Sequence, residues 1–164
     1  MPLTIAPTSG QITDHFYWNE VTESDMAARL DIDNTLPPDL VPVIISTARK
    51  AEKIRALLNE PMKITSWYRS LALNTALRSK PTSQHIKGEA IDFTSPSYST
   101  PLSICRRILN YRELIPFDQL ILEHTWVHVS FLSDPTVKPR GEVLSLLQSG
   151  GYATGLTDKQ GKPL

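Results

Sequence analysis

Two segments with the composition of β-strands stand only two residues apart, and this spacing constrains the fold more than any other feature of the chain. The segments are FDQLILE (117–123) and WVHVSF (126–131). A two-residue connection predicts an antiparallel hairpin, although the connecting residues, His-Thr, are not the favoured turn chemistry. Side chains alternate along a strand, and directly opposed residues share a face. We therefore expect Glu123, Trp126 and His128 on one face of the hairpin.

A further strand-like segment, GEAIDF (88–93), contains an aspartate and follows closely on a histidine. If this strand neighbours the hairpin, His85, Asp92 and His128 can meet at one point. Two imidazoles and a carboxylate suit zinc, and they leave a fourth coordination position for water. A carboxylate that is not bound to the metal can take a proton from that water, and Glu123 has a suitable position for this role. The residues alone also allow an ordinary alternative, in which they are polar side chains flanking a turn.

Apolar residues recur at helical spacing in several other segments. These segments predict a long helix at 35–61, with prolines at its entry, and shorter helices at 70–79, 99–114 and 141–148. Thr22 or Ser24 can cap another helix near the N-terminus. A short strand is predicted at 62–68. Cys105, the only cysteine, lies in one of the apolar periodic stretches, and we expect it to be a buried and unreactive thiol.

Length and charge exclude several classes of protein. With 164 residues the chain can bury a proper core, and we expect a single domain over 1–164, with an extended N-terminal arm (about 1–15) and a C-terminal tail (about 134–164). Its formal net charge is zero, which gives no long-range attraction to nucleic acid or to an anionic membrane. No stretch approaches the roughly 18 apolar residues of a membrane span, and no signal peptide is visible. We expect a monomer made in the cytoplasm, without nucleic-acid partners or stable membrane insertion.

Three ordered blocks of the sequence resemble one family. Ser83-x-His85-x-x-Gly88-x-Ala90-x-Asp92 matches the SxHxxGxAxD signature of zinc peptidases that cleave bacterial cell-wall peptides. This group contains D-Ala-D-Ala carboxypeptidases, D-Ala-D-Ala dipeptidases and phage endolysins, and the Hedgehog signalling domain shares its fold. ITSWYRSLALN (64–74) is similar to the TSGYRSxxxN block of the family, with tryptophan in place of the usual glycine, and the predicted hairpin resembles the segment that carries the base and the last metal ligand.

The resemblance runs from about residue 16 to about residue 156 and has consequences for fold and cofactor. It implies an α+β fold in which helices pack on one side of a small antiparallel sheet, as in Hedgehog domains and D-Ala-D-Ala peptidases. It also implies one zinc ion, with His85, Asp92 and His128 as its ligands.

The resemblance assigns further roles residue by residue. Arg69 corresponds to the arginine that binds a substrate carboxylate, for which a guanidinium fork is well suited, although a structural ion pair is the alternative. Ser83 supports the site or contacts substrate, unless it is an ordinary loop serine. Trp126 lines the pocket or packs in the core. Many relatives place the catalytic acid three residues before the last histidine ligand, where this chain has a threonine, so Glu123 is the expected base and Asp118 is its rival. Neither His15 nor His124 has a matched role.

The function implied by the resemblance is zinc-dependent hydrolysis of peptide bonds in peptidoglycan stem peptides, with a zinc-activated water as nucleophile and Glu123 as general base. Without a signal peptide or a wall-binding repeat, the chain is similar to phage endolysins, which reach the wall in the periplasm after release or travel in the virion. Three alternatives stay open. They are a catalytically inactive zinc-containing binding module of the same fold, a D-Ala-D-Ala carboxypeptidase of wall remodelling, and a zinc hydrolase of other peptides. The sequence leaves the cleaved bond undetermined.

Overall fold

The computed structural model describes residues 5–164, so the first four residues of the predicted N-terminal arm (1–15) lie outside the described residues. The helices are α1 (Trp18–Thr22), α2 (Asp25–Arg29), α3 (Val41–Leu58), α4 (Leu71–Ala76) and α5 (Pro101–Asn110), and a 3-10 turn at Pro38–Leu40 leads into α3. The strands are β1 (Lys63–Ser66), β2 (Ala90–Thr94), β3 (Gln119–Leu122), β4 (Val127–Ser130), β5 (Glu142–Leu146) and β6 (Tyr152–Thr154).

The strands form one sheet in the order β1-β2-β4-β3-β5-β6. Neighbouring strands are antiparallel except for β3 and β5, which run parallel. Helix α5 packs against β3 and β4, and α3 packs against α5. The predicted α+β class, with helices alongside a small sheet, is confirmed, and the single parallel pair is an addition to it.

Local sequence signals account for the helix boundaries. In α2 and α5, the side chains of Ser24 and Thr100 accept hydrogen bonds from backbone N–H groups of the first turn, and Pro101 follows directly at the start of α5. The predicted long helix begins only at Val41 and ends at Leu58, because Asn59 takes the left-handed conformation (φ 51°) that closes many helices.

One face of the sheet forms the hydrophobic core. The side chains that alternate onto this face are almost completely buried and cluster with the apolar faces of α3 and α5; they are Ile91, Phe93, Leu120, Leu122, Val127 and Val129. The residues between them, including Asp92 and His128, therefore point to the opposite face. The alternation places the polar side chains of β2 and β4 together on the side away from α3 and α5.

The helix predicted at 141–148 is wrong, because this segment contains strand β5 (Glu142–Leu146). A short apolar run such as VLSLL fits either a helix or a strand, and periodicity alone does not separate the two. Pairing decides the outcome: β5 joins β3 on one side and β6 on the other, which satisfies its backbone hydrogen bonds. The C-terminal residues thus extend the sheet.

The environment of the single cysteine and the character of the helices bear on two further expectations. Cys105 is completely buried, as predicted, and burial raises the pKa of its thiol to about 12, which disfavours the reactive thiolate. Within residues 5–164, no helix is both long enough and apolar enough to cross a membrane.

Candidate metal centre

Asp92 and His128 are direct cross-strand neighbours. The register of β2 and β4 sets Asp92 opposite His128, on the face of the sheet opposite the hydrophobic core. Their side chains are buried, and the Nδ1 atom of His128 lies 2.8 Å from the Oδ1 atom of Asp92. The sheet register therefore brings together two of the three predicted ligands.

The third predicted ligand, His85, reaches the same point from the loop between α4 and β2. Its Nε2 atom lies 3.2 Å from the Oδ1 atom of Asp92, and the side chain is 2% exposed. One ligand atom from each of His85, Asp92 and His128 lies within 4.8 Å of the other two. The predicted set converges as the sequence analysis expects.

The surroundings of His85 fit a zinc site. Its Nδ1 atom donates to the carbonyl oxygen of Trp67 at 2.6 Å, which leaves the lone pair of Nε2 directed at the centre. Metal-binding histidines usually make this kind of hydrogen bond with the second ring nitrogen, because it fixes the tautomer and the ring orientation. Two imidazoles and a carboxylate, all buried, are also the donor set that zinc favours.

The loop that carries His85 is anchored through Gly88. This glycine has φ +73°, and its carbonyl oxygen accepts hydrogen bonds from the Trp67 indole at 3.1 Å and the Thr47 hydroxyl at 2.9 Å. A Cβ atom at this position would lie 2.7 Å from the Cδ1 atom of Ile44. The signature therefore requires glycine here for both its backbone conformation and its close approach to α3.

Trp67, which replaces the usual glycine of the family block, is a core residue. Its side chain is fully buried and packs edge-to-face against Phe16, with the ring centroids 6.1 Å apart. Its backbone carbonyl holds His85 and its indole holds Gly88. The departure from the family pattern thus adds a second attachment between β1 and the loop that carries His85.

Electrostatic interactions keep Asp92 ionised. Burial alone would raise the pKa of Asp92, but the electrostatic interaction with the His85 ring and the hydrogen bond from His128 hold it far below its usual range. Burial lowers the pKa of His85, which favours the neutral imidazole that a metal requires. The charged carboxylate and a neutral imidazole are the forms suited to binding a cation.

Arg69 contacts the metal group directly. Its Nη2 atom donates to the Oδ2 atom of Asp92 at 2.9 Å, and its Nε atom donates to the Ser66 hydroxyl at 3.0 Å. Within residues 5–164, no hydrogen bond of its Nη1 atom is found. The ion pair that the sequence analysis weighed as an alternative is present, and one nitrogen of the guanidinium remains available to a ligand.

Glu123 lies where the predicted hairpin places it. Its backbone N–H donates to the carbonyl oxygen of Trp126 at 3.2 Å across the two-residue turn, and His124 takes φ 65° there. Because Ile121 is opposite His128, Glu123 also projects from the face that carries His128. Burial and the Asp92 carboxylate raise its pKa, and neighbouring donors and cations oppose only part of that rise.

Asp118, the rival base, is engaged elsewhere. It accepts hydrogen bonds from the backbone N–H of Arg140 at 2.9 Å and from the Arg140 Nη2 atom at 2.7 Å. It lies five residues before Glu123 at the other end of β3, a separation of roughly 16 Å along an extended strand. This geometry favours Glu123 over Asp118 as the base.

The two predicted substrate-binding residues have different surroundings. Ser83 is half-buried, and its hydroxyl accepts from the backbone N–H of His85 at 3.4 Å, which supports the loop. Trp126 is half-buried and lines a cavity of about 460 Å³ beside Glu123. The walls of this cavity are the β3–β4 turn, the β5–β6 turn and Lys159. Contact of Ser83 and Trp126 with substrate stays a prediction.

Neither of the two remaining histidines lies in the metal group. His15 pairs with Glu52 at 2.8 Å on the surface, and the His124 Nε2 atom lies 2.8 Å from the carbonyl oxygen of Leu146, which ties the hairpin turn to β5.

The sequence analysis missed Tyr152, which comes from β6 and interacts electrostatically with Glu123 and Asp92. The missed signal is the sequence between β5 and β6. QSGGY follows an apolar run, and a glycine-containing turn between two such runs indicates a hairpin. Interpreting the preceding segment as a helix hid this signal.

Comparison with known families agrees with the geometry. Residues 14–130, more than two thirds of the chain, match the family model described as Peptidase M15, and the matched region includes the three convergent ligands but ends before β5. No curated protein matches the chain. M15 peptidases depend on zinc, and the His85–Asp92–His128 group is suited to hold it. The resemblance inferred from the three sequence blocks is thereby confirmed, and the chain belongs to the M15 family of zinc peptidases.

Proposed function

We propose that the protein hydrolyses peptide bonds in the stem peptides of bacterial peptidoglycan and acts as a lysis enzyme of the phage endolysin type. The observation that supports this best is the convergence of His85, Asp92 and His128 beside Glu123, on the face of the sheet opposite the core. A binding module has no need for an ionisable carboxylate next to a metal site. A peptidase does need one, because a proton must leave the attacking water.

In this proposal each residue has one role. The two histidines and Asp92 would hold zinc, a Lewis acid that would lower the pKa of a bound water and polarise the scissile carbonyl. Glu123, whose pKa is raised by burial, accepts the proton of the attacking water and then gives it to the leaving amine. Arg69 holds Asp92 through Nη2 and offers Nη1 to a carboxylate of the stem peptide.

The substrate contacts are proposed from the same geometry. Stem peptides carry carboxylates close to their peptide bonds, and a guanidinium within reach of the metal group can hold one of them beside the scissile bond. The cavity beside Glu123, lined by Trp126, can accept residues on one side of that bond. For localisation, we propose synthesis in the cytoplasm and action in the periplasm after release, or carriage in the virion.

The experiment that tests the function is digestion of purified peptidoglycan followed by mass analysis of the soluble products. The zinc-loaded protein is expected to release peptide fragments that identify the cleaved bond, and a chelator should stop the release until zinc is restored. The matched control is Glu123→Gln, which keeps the size of the side chain and removes the base. This variant should bind zinc and release no fragments.

The possible results separate the alternatives. Stoichiometric zinc with binding to peptidoglycan but no cleavage would identify an inactive binding module and refute the proposal. Release of free D-alanine alone would identify a carboxypeptidase of wall remodelling. Cleavage of unrelated peptides with intact peptidoglycan would identify a hydrolase of non-wall peptides.

A further inference from the structure

The strand pair that follows the family-matched region brings a tyrosine to the row of side chains that contains Glu123. The parallel register sets Leu122 of β3 against Ser145 of β5, so that the next pair is Glu123 and Leu146. Leu146 is in turn opposite Tyr152 of β6. Since opposed residues share a face, Glu123, Leu146 and Tyr152 form one row across the sheet. The long tyrosine side chain can therefore reach Glu123 over Leu146.

Glu123 and Tyr152 are close enough for each to affect the pKa of the other. Burial and the Glu123 carboxylate raise the pKa of Tyr152, and the nearby Tyr152 hydroxyl in turn acts to lower the pKa of Glu123. In the part of the chain that the structure describes, the Tyr152 hydroxyl makes no hydrogen bond as short and well aligned as those that hold Asp92. Catalytic hydrogen bonds are often loose before substrate binds.

Four charged or polar groups face Glu123, each from a different element. Asp92 comes from β2, His128 from β4, Arg69 from the β1–α4 loop and Tyr152 from β6. Asp92 and His128 belong to the metal group, and Arg69 already donates to Asp92. Of these four, Tyr152 is the neutral hydroxyl donor, and no other side-chain hydrogen bond of Tyr152 is found among residues 5–164. Within residues 5–164 no close side-chain hydrogen bond otherwise fixes the Glu123 carboxylate.

We propose that Tyr152 is a positioning residue, whose hydroxyl donates a hydrogen bond to one carboxylate oxygen of Glu123 and so directs the other oxygen at the attacking water. This inference rests on the proposed function, because it assigns Tyr152 to that same reaction. It also gives β5 and β6, which lie outside the family-matched region, a part in the active site.

Kinetics of Tyr152→Phe test the role, because phenylalanine keeps the ring and removes only the hydroxyl. We expect kcat on peptidoglycan fragments to fall about 10-fold, the equivalent of one hydrogen bond to a charged group, with KM unchanged. The acidic limb of the pH–rate profile should move to higher pH, since the lost hydrogen bond favoured the ionised carboxylate. The matched control is Tyr111→Phe, because Tyr111 has similar exposure at the end of α5 (37% against 43%). This control should behave like the unmodified protein.

A second measurement does not depend on turnover. In zinc-loaded protein labelled with carbon-13 at the tyrosine Cζ atoms, the Tyr152 resonance is the one missing from Tyr152→Phe. Its titration should move to lower pH in Glu123→Gln, because the negative charge that raises the Tyr152 pKa is removed. The Tyr111 resonance should not move.

The two measurements separate the possible failures. An unchanged Tyr152 titration in Glu123→Gln shows that the hydroxyl is not at Glu123 and overturns the inference, whether or not the protein is active. Equal kcat and equal pH limbs in Tyr152→Phe and unmodified protein overturn it as well. If the Tyr152 titration shifts but the protein leaves peptidoglycan intact, the contact between Tyr152 and Glu123 is confirmed. The proposed function is then refuted, and so is the role of Tyr152 in that reaction.

Discussion

A single methyl group at Gly88 is expected to destabilise the protein strongly. The backbone there has φ +73°, a conformation in which alanine is less favourable than glycine by roughly 1 kcal/mol. The new Cβ atom would also lie 2.7 Å from the Cδ1 atom of Ile44, a completely buried residue of α3. Overpacking of this kind costs typically about 1–3 kcal/mol. Together these terms lower the free energy of unfolding of Gly88→Ala by about 3 kcal/mol.

The assay is thermal and urea denaturation in the presence of a chelator, so that zinc binding does not contribute to stability. For a chain of this length, about 3 kcal/mol corresponds to a fall in Tm of roughly 10 °C. The matched control is Gly155→Ala, since Gly155 has φ +85° and nothing within 4 Å of its would-be Cβ atom. Gly155→Ala has the unfavourable backbone conformation without the steric overlap, so its free energy of unfolding should fall by only about 1 kcal/mol.

A second variant isolates the contact with Ile44. Ile44→Val removes the Cδ1 atom that the new methyl group would meet, at a cost of about 1 kcal/mol when it is made alone. In the Gly88→Ala/Ile44→Val double variant the losses should be less than additive, because the shortened side chain relieves the overlap. If Gly88→Ala is no less stable than Gly155→Ala, or if the two losses simply add, the packing argument for this glycine is wrong.

Three further predictions concern the active site. Glu123→Gln should keep one zinc per chain and lower kcat by a factor of about 100 or more, the usual contribution of a general base. Zinc analysis and peptide kinetics check this, and near-normal turnover would exclude Glu123 as the base. The kcat/KM of the unmodified protein should fall as the pH drops through the pKa of Glu123, because the base must be ionised. Burial raises this pKa above that of an ordinary glutamate, so a pH profile that is still flat at the ordinary value would contradict the prediction. Asp118→Asn should destabilise the protein in urea by about 1–3 kcal/mol through the weakened bonds to Arg140 and leave kcat per bound zinc unchanged; a kcat loss equal to that of Glu123→Gln would reverse the assignment.

The hairpin shows how much of the site local sequence can predict. Two connecting residues fix the pairing of Glu123 with Trp126, and alternation then places Glu123 and His128 on one face, as observed. Local sequence does not predict which residue of the next strand lies opposite His128. That Asp92 stands opposite His128 depends on the register of strands far apart in sequence, which no local pattern determines. The motif supplied this link only through the family resemblance.

The C-terminal strands show where local sequence fails. The segment VLSLL is too short for its period to distinguish helix from strand, and its state depends on the exposed edge of β3 that receives it. A helix at this segment predicts no relation between Tyr152 and Glu123, whereas the strand pairing places them in one row. The function of Trp67 was also hidden, since its hydrogen bonds to the His85 loop come from tertiary packing.

The parallel pairing of β5 with β3 has a practical consequence for anyone who shortens this protein. A fragment cut back to residues 14–130 would contain the three ligands but lack both C-terminal strands. Strand β3 would then become an edge strand. Its backbone donors and acceptors that now bond to β5 would be exposed to solvent and could pair with other molecules. Trimmed versions should therefore aggregate, and the minimal expressible unit must run past residue 154.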